Sequence, residues 1–288
     1  MGSAAVNNIF GDVVPVSKLG EPGYFTDISN EDYHKGPGIS KSQLDLVHES
    51  PALLSWSKSA PEDERKRGAL DIGTAVHTLL LEPHLFDQQY AVGPANAPRN
   101  TNAGKEKWAE FEKTLDGRIV LTGDDYQTIK LMQASAMAHP HARWLLEAEG
   151  DAEASIYWTD PETGLLCRIR PDKLVPSVNI IVDVKTTDDV AKFKWSVRDY
   201  RYDVQDAFYS SGYHAHFGEA PAQFVFLVVG KTINCGKYPV RVITLDDESR
   251  AVGYDEMRED LHLVAECTNN NNWPGIQTMS VPPRFKQQ

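Results

Sequence analysis

The chain has 288 residues, 41% of them hydrophobic, enough for one sizeable globular core. Its 29 Lys and Arg against 41 Asp and Glu give a formal net charge of -12, which excludes attraction to nucleic acid or anionic lipid through overall charge. Cys167, Cys235 and Cys267 are widely separated with no C-x-x-C pair, which excludes a disulfide framework or a cysteine-ligated metal cluster and favours a reducing compartment.

Residues 1–22 lack periodicity and carry Gly and Pro, so they read as a flexible lead-in to a single domain spanning 23–288. Within that domain, 23–149 reads as mainly helical and 150–288 as an α/β catalytic core. In residues 39–58 a Ser/Lys/Ser cluster precedes Leu44, Val47 and Leu54, and Pro51 interrupts the stripe; this predicts two short helices. Residues 67–83 place Ala69, Ile72, Val76, Leu79 and Leu80 at helical spacing and stop at Pro83. His77 follows Val76 and borders the buried face of that helix. Residues 91–107 read as an exposed loop with a small basic cluster, and helices are predicted over about 105–115 and 122–148.

From residue 150 the texture changes to strands and short turns. EASIYWTD, LLCRIRPDKLVP and NIIVDVKTT predict a three-stranded meander. A helix over 195–218, strands at QFVFLVVG and YPVRVITLD, and a helix over 247–269 complete a mixed α/β order with a helical N-terminal elaboration. The longest apolar runs, such as FVFLVV at 224–229, are too short to span a bilayer, and no basic-then-apolar leader opens the chain. A soluble, cytoplasmic protein without a membrane partner is the expectation.

NIIVDVKTT sets Asp183 and Lys185 inside an aliphatic strand. Side chains alternate along a strand, so these two share one face while Ile180, Val182 and Val184 share the other. Asp172, in RPDK on the preceding strand, can come beside Asp183. Two close carboxylates repel unless a cation lies between them, and hard oxygen ligands suit Mg2+ or Mn2+. Lys185 on the same face can orient or help deprotonate a metal-bound water, the set needed for phosphodiester hydrolysis. A structural ion pair at a strand edge explains these three residues alone about equally well. Beyond them, His77 can reach inward as a nitrogen ligand, Gln205 and Tyr209 lie four apart on one helix face, and Glu153 at the start of a strand could add a carboxylate.

P-D, ten intervening residues and D-V-K resemble the PD-(D/E)xK signature, with Asp at the second carboxylate. G-x-x-x-H, RPDK, DVKTT and Q-x-x-x-Y, in that order, resemble its RecB-type branch. The wider wording, including YFTDISNEDYHKGPGISKSQLD, TNAGKE, SIYWTDPETGLLCRIRPDK and YRYDVQDAFYS, is similar to nuclease domains of the RecE (exodeoxyribonuclease VIII) type from about residue 23 onward. The resemblance implies a restriction-endonuclease-like core of central mixed β-sheet flanked by helices. It also implies a Mg2+-dependent, ATP-independent exonuclease, with Mn2+ as substitute, that degrades one strand of linear double-stranded DNA 5' to 3'. Its products would be 5'-mononucleotides and a 3' single-stranded tail.

By motif, the resemblance makes His77, Asp172, Asp183 and the backbone carbonyl of Val184 metal ligands and Lys185 the water-positioning base. Gln205 and Tyr209 would support the site and the scissile phosphate, while Glu153 matches less closely. It further implies a homotetrameric ring, a RecT-type single-strand annealing partner, a role in recombination and repair, and a bacterial or prophage origin. Within a ring only the channel lining need be basic, for which Arg99, Lys105, Lys107 and the ERKR run at 64–67 are candidates. Ser40, Lys41 and Ser42 at a helix start could hold a terminal phosphate, though N-capping explains the serines almost as well.

VVGKT at 228–232 lacks the first P-loop glycine, since Val225 stands there, so no nucleotide cofactor is expected. His139 and His141 have no spaced partner for a metal. The DYRYDV aromatics read as packing and subunit contact rather than as base-stacking groups. Alternatives that remain open from sequence are a sequence-specific endonuclease and a non-catalytic module binding DNA ends or a partner.

Overall fold

The computed structural model describes residues 19–61 and 71–278. In chain order its elements are β1 (Gly23–Phe25), α1 (Asn30–Lys35), α2 (Lys41–Glu49), α3 (Pro51–Ser57), α4 (Ile72–Leu81), α5 (Pro83–Gln89), β2 (Tyr90–Val92) and α6 (Asn102–Glu112). There follow β3 (Ile119–Leu121), α7 (Gly123–Ala138), α8 (Pro140–Glu147), β4 (Asp151–Ala152), β5 (Ser155–Thr159), β6 (Leu166–Ile169), β7 (Lys173–Val175) and β8 (Ile180–Thr187). The last elements are α9 (Phe193–Asp199), α10 (Tyr202–Phe217), β9 (Gln223–Gly230), β10 (Val240–Ile243) and α11 (Asp247–Asn270). Among the described residues no helix is long and apolar enough to cross a membrane.

A mixed five-stranded sheet ordered β10-β9-β8-β7-β4 forms the centre. Its β8 and β9 run parallel over their whole length, joined by the α9–α10 crossover that a parallel pair requires, and the remaining pairs are antiparallel. Both faces are covered, so the two middle strands are largely apolar on both sides, with Asp183 and Lys185 the charged exceptions on one face of β8. Ile181, Phe224, Phe226 and Val228 point into a core shared with α2, α3, α10 and α11, while Val182, Val184, Val225, Leu227 and Val229 point into one shared with α4, α7 and α8. Most of these side chains are fully buried, each worth about 1.5–3 kcal/mol.

The RPDK segment departs from the expected meander. LLCRIRPDKLVP forms two strands in two sheets: β6 pairs with β5 in a small sheet with β1, and β7 pairs with β8 in the central one. Pro171 lies between them and lacks the N–H that a continuous ladder needs, so the chain changes sheets there. The segment over 195–218 is likewise broken, because Arg201 takes a left-handed conformation (φ 51°) between α9 and α10. Pro140 divides the span over 122–148 into α7 and α8, and the loop helix α6 starts three residues earlier than its periodicity predicts.

Two buried arginines, Arg168 in β6 and Arg170 just after it, fix the N-terminal segment against the core. Arg168 donates to the carbonyls of Tyr33 (2.5 Å), His34 (3.1 Å) and Gly36. Arg170 donates to Ser155 Oγ (2.9 Å) and to the Ile28 carbonyl (2.8 Å), which holds residues 26–30 as one wall of a cleft.

Candidate active site

The cleft encloses about 750 Å³ between residues 26–30, the start of α4, the β4–β5 junction and the exposed edge of β8. Its floor is made by the sheet switch. The β7–β8 register ends at Lys173 opposite Val182, so beyond it the β8 edge has lost its ladder partner. The Val184 N–H is taken instead by Asp172 Oδ2 at 2.5 Å, and the Val184 carbonyl accepts from His77 Nε2 at 2.6 Å. Val184, two residues past the ladder's end, thus presents both backbone groups to side chains, as buried peptide groups must find partners somewhere.

α4 brings His77 there. Asp71 caps the helix by accepting from the Gly73 N–H at 2.8 Å. A Cβ on Gly73 would lie 2.8 Å from Thr186 Oγ1, so the glycine of G-x-x-x-H lets the first turn of α4 rest directly on β8. Val76, Leu79 and Leu80 pack into the core on one side, and His77 points at the strand edge, with Nε2 3.3 Å from Asp172 Oδ2.

Glu153 completes the group. It sits between β4 and β5 with φ 53°, donating its N–H to the Asp172 carbonyl at 3.1 Å. A left-handed non-glycine residue costs roughly 1–3 kcal/mol, and here it turns the carboxylate inward. Ligand atoms of His77, Glu153 and Asp172 all lie within 4.8 Å of one another.

Asp183 and Lys185 share the face of β8 that meets α10. Asp183 is nearly completely buried; it accepts from Gln205 Nε2 at 2.5 Å and pairs with Lys185 Nζ at 2.6 Å. Lys185 Nζ also lies 4.7 Å from the Tyr202 ring centre. Tyr209, one turn past Gln205, packs edge-on against Phe224.

The electrostatics are those of a hole for a cation. Burial pushes Asp172 up to about 6, with Asp183 adding to the shift and His77 and Lys185 opposing it. Burial and the nearby Asp172 carboxylate push Glu153 up to about 7. Burial works against a charged His77 and a charged Lys185, but the adjoining carboxylates outweigh it and both are raised. Lys185 is therefore held as an ammonium, suited to orienting water and to stabilising anionic charge rather than to accepting a proton. Burial also keeps the Tyr209 hydroxyl protonated far above its ordinary range, with Tyr33, Asp183 and Asp172 adding to it.

The donor set fits a divalent metal ion. One imidazole nitrogen and two carboxylates raised by burial and mutual repulsion lie within 4.8 Å of one another, with the Val184 carbonyl off the ladder beside the imidazole, and all are hard or borderline ligands. The expected residues fall into two contact groups, His77 with Asp172 and Val184, and Asp183 with Lys185 and Gln205; Asp183, expected as a metal ligand, is not among the converging ligand atoms, and Glu153 takes that place beside His77 and Asp172.

The DNA-contact expectations fare differently. Lys41 is mostly buried, bonded to Asp45 Oδ2 (2.7 Å) and to the Tyr200 carbonyl (2.5 Å), so it ties α2 to the α9–α10 junction. Ser40 and Ser42 bond each other at 3.0 Å, and Gln43 caps the Ser40 N–H. Arg99 stacks over Trp108 at 3.7 Å and pairs with Glu112, while Lys105 and Lys107 lie exposed on α6. The ERKR run lies outside the described residues.

Asp71, Arg170, Thr186 and Tyr202 line the cleft without having been singled out. Arg170 stood in RPDK and Asp71 in the N-cap position, but nothing in the sequence set Tyr202 apart from its neighbours. His139 caps α8 through the Ala142 N–H, a structural use.

Among solved structures, the chain is similar to a protein from Eubacterium rectale classed provisionally as an exonuclease, with TM-score 0.55 and 16% identity over 90% of this chain and 94% of that one. That likeness is one of fold. A phage-related exonuclease from Haemophilus somnus (13% identity, 70% and 97% covered, TM-score 0.31) and an alkaline exonuclease from Laribacter hongkongensis (17%, 66% and 96%, TM-score 0.29) align too weakly to bear on it. No curated protein sequence matches at a significant level. The model of one family matches residues 40–278, which include every residue of the cleft's ligand group, and the chain accordingly belongs to the PDDEXK-like domains of unknown function (DUF3799).

Proposed function

We propose that the protein is a metal-dependent exodeoxyribonuclease that degrades one strand of linear double-stranded DNA from its ends, 5' to 3' and without ATP. The observation that carries this reading is the convergence of His77, Glu153 and Asp172 within 4.8 Å, beside an Asp183–Lys185 pair at 2.6 Å. His77, Glu153, Asp172 and the Val184 carbonyl would hold Mg2+, or Mn2+ in its place, with Asp183 at its margin. The bound cation would supply Lewis-acid polarisation of the phosphodiester and a lowered pKa for attacking water.

The chain's own residues do the rest. Lys185, kept as an ammonium by Asp183, orients the water and stabilises charge growing on the phosphate. Gln205 holds Asp183 in place, and Asp172 locks the β8 edge through the Val184 N–H. Tyr209 stays a neutral hydroxyl able to donate toward the substrate. The 5'-mononucleotide products, the 3' tail passed to a RecT-type annealing protein in recombination, and the homotetrameric ring rest on the likeness to RecE-type sequences. A ring would let a chain of net charge -12 remain on DNA by topology.

The test is digestion of linear duplex DNA labelled separately at each 5' and 3' end, with Mg2+ or EDTA and no ATP, beside a closed circle of the same sequence. Early, Mg2+-dependent release of the 5' label with the circle intact is expected. A cut circle would replace the exonuclease with an endonuclease, and inert DNA under every condition would leave only a binding module.

A further inference from the structure

The junction between α9 and α10 stacks aromatic rings from the core out to solvent. Phe193 and Phe226 are buried, and the Tyr202 ring lies against both, at 5.8 Å and 29° and at 5.7 Å and 31°. Tyr200 stacks in turn on Tyr202, at 5.6 Å and 27°, yet is 62% exposed. The inner member of this pair lines the catalytic cleft and carries the Lys185 ammonium over its ring.

Burial does not account for Tyr200, since most of its surface faces water. Its position is nevertheless tightly set. Lys41 donates to the Tyr200 carbonyl, and the next residue, Arg201, is held in a left-handed turn by ion pairs to Asp45 (3.3 Å), Glu256 (3.1 Å) and Asp260 (2.6 Å). A rigid aromatic face, open on one side and joined by a stacked ring to the metal-ligand cleft, offers what a nucleobase π-face binds. On the same short helix Lys194 and Arg198 lie over the exposed Trp195 ring, at 5.2 Å and 5.0 Å; Arg198 is paired with Asp199 at 2.7 Å, so Lys194 supplies the net positive charge.

We infer that Tyr200, stacked on Tyr202, is a platform for the base of the terminal nucleotide of the strand being cut, positioning its phosphate over Lys185. This rests on the nuclease reading above and adds a substrate-positioning residue outside the ligand and ammonium set. Every base has a π-face, so the platform is tolerant of sequence, as an enzyme that proceeds along a strand requires.

The test uses duplexes carrying 2-aminopurine at the 5' or the 3' terminal nucleotide, bound in Ca2+ so that cleavage is suppressed, together with steady-state digestion in Mg2+. With the wild type, the probe at one end is quenched on binding. In Tyr200→Ala that quench is lost and KM for DNA ends rises roughly 5- to 100-fold with kcat largely kept, whereas Tyr200→Phe behaves as wild type. An unchanged melting temperature in Tyr200→Ala, expected for so exposed a ring, separates stacking from folding. Quenching and KM unchanged in Tyr200→Ala, or no quench at either end with the wild type, would overturn the platform while digestion by the wild type leaves the nuclease intact. A wild type that digests no DNA would overturn both.

Discussion

Two buried charge clusters flank the first turn of α10, and they are built to opposite ends. In one, Arg201 sits among Asp45, Glu256 and Asp260, and His48 adds a contact to Asp260 at 3.1 Å. The acids point at a common guanidinium, which burial disfavours but the carboxylates hold charged. In the other, Glu153 and Asp172 point at each other as much as at His77, and burial with mutual repulsion drives both upward. The numbers of acidic and basic groups are similar. What differs is convergence: donors satisfy the first cluster, whereas the second gathers acceptors around an open cleft, the arrangement of a site rather than of a strut.

The largest effect that would sharpen this contrast is on activity. Asp183→Asn is expected to lower Mg2+-dependent DNA hydrolysis by at least about 10³-fold while leaving the fold intact, because the isosteric amide removes the carboxylate charge yet still offers an oxygen to Gln205 Nε2 and Lys185 Nζ. Digestion rates and melting curves of the variant check it; retention of more than a tenth of the activity would deny Asp183 a part in catalysis. Arg201→Ala should do the reverse. It leaves Asp260 buried without its cation and should cost about 3–5 kcal/mol of stability, read by urea unfolding. If Arg201→Ala were no less stable than wild type, the first cluster would not be structural.

pH separates the clusters next. Glu153 is raised to about 7 and Asp172 to about 6, so between the ordinary carboxylate range and those values the folded state binds more protons than the unfolded one. Metal-free stability therefore falls as pH rises through that window, and the raised His77 acts in the same sense, its contribution lost as pH climbs through its folded value. A bound divalent cation displaces those protons, so the rise in melting temperature on adding Mg2+ grows with pH over the same range. Melting scans at stepped pH in EDTA and in Mg2+ measure both slopes, and Glu153→Gln should flatten them. A metal-free melting temperature that climbed across this window would contradict the crowded-carboxylate reading.

The smallest expected effect concerns how α4 is seated. Gly73→Ala places a methyl 2.8 Å from Thr186 Oγ1, lifting α4 from β8 and drawing His77 off the Val184 carbonyl. About 1–3 kcal/mol of stability and part of the Mg2+ response should be lost, and Thr186→Ala in the same chain should recover most of both. Failure of the second substitution to rescue would show that the close approach is not what sets His77.

Much of the site is legible because its parts obey local periodicities. Alternation along β8 puts Asp183 and Lys185 on one face against Val182 and Val184 on the other, and the structure keeps that division between the two cores. The four-residue spacing of Gly73 to His77 and of Gln205 to Tyr209 is that of single helix faces, and both pairs fall within helices. Glu153 is another matter. A glutamate at a strand start reads as solvent-facing, and only its left-handed backbone turns it inward. Tyr200 and Tyr202 look alike in the sequence, and their different exposures follow from the turn at Arg201, whose three acidic partners come from α2 and α11.

By itself the sequence determined the mixed α/β order, the face of β8 that carries charge and the motif that marks the family, since each depends on spacing within one segment. Only the tertiary structure decided that RPDK bridges two sheets, that Val184 offers both backbone groups to side chains, and that Glu153 joins His77 and Asp172. Those outcomes depend on which strands pair and where a ladder ends, and ladder ends are set by contacts between segments distant in the chain, which no local spacing records.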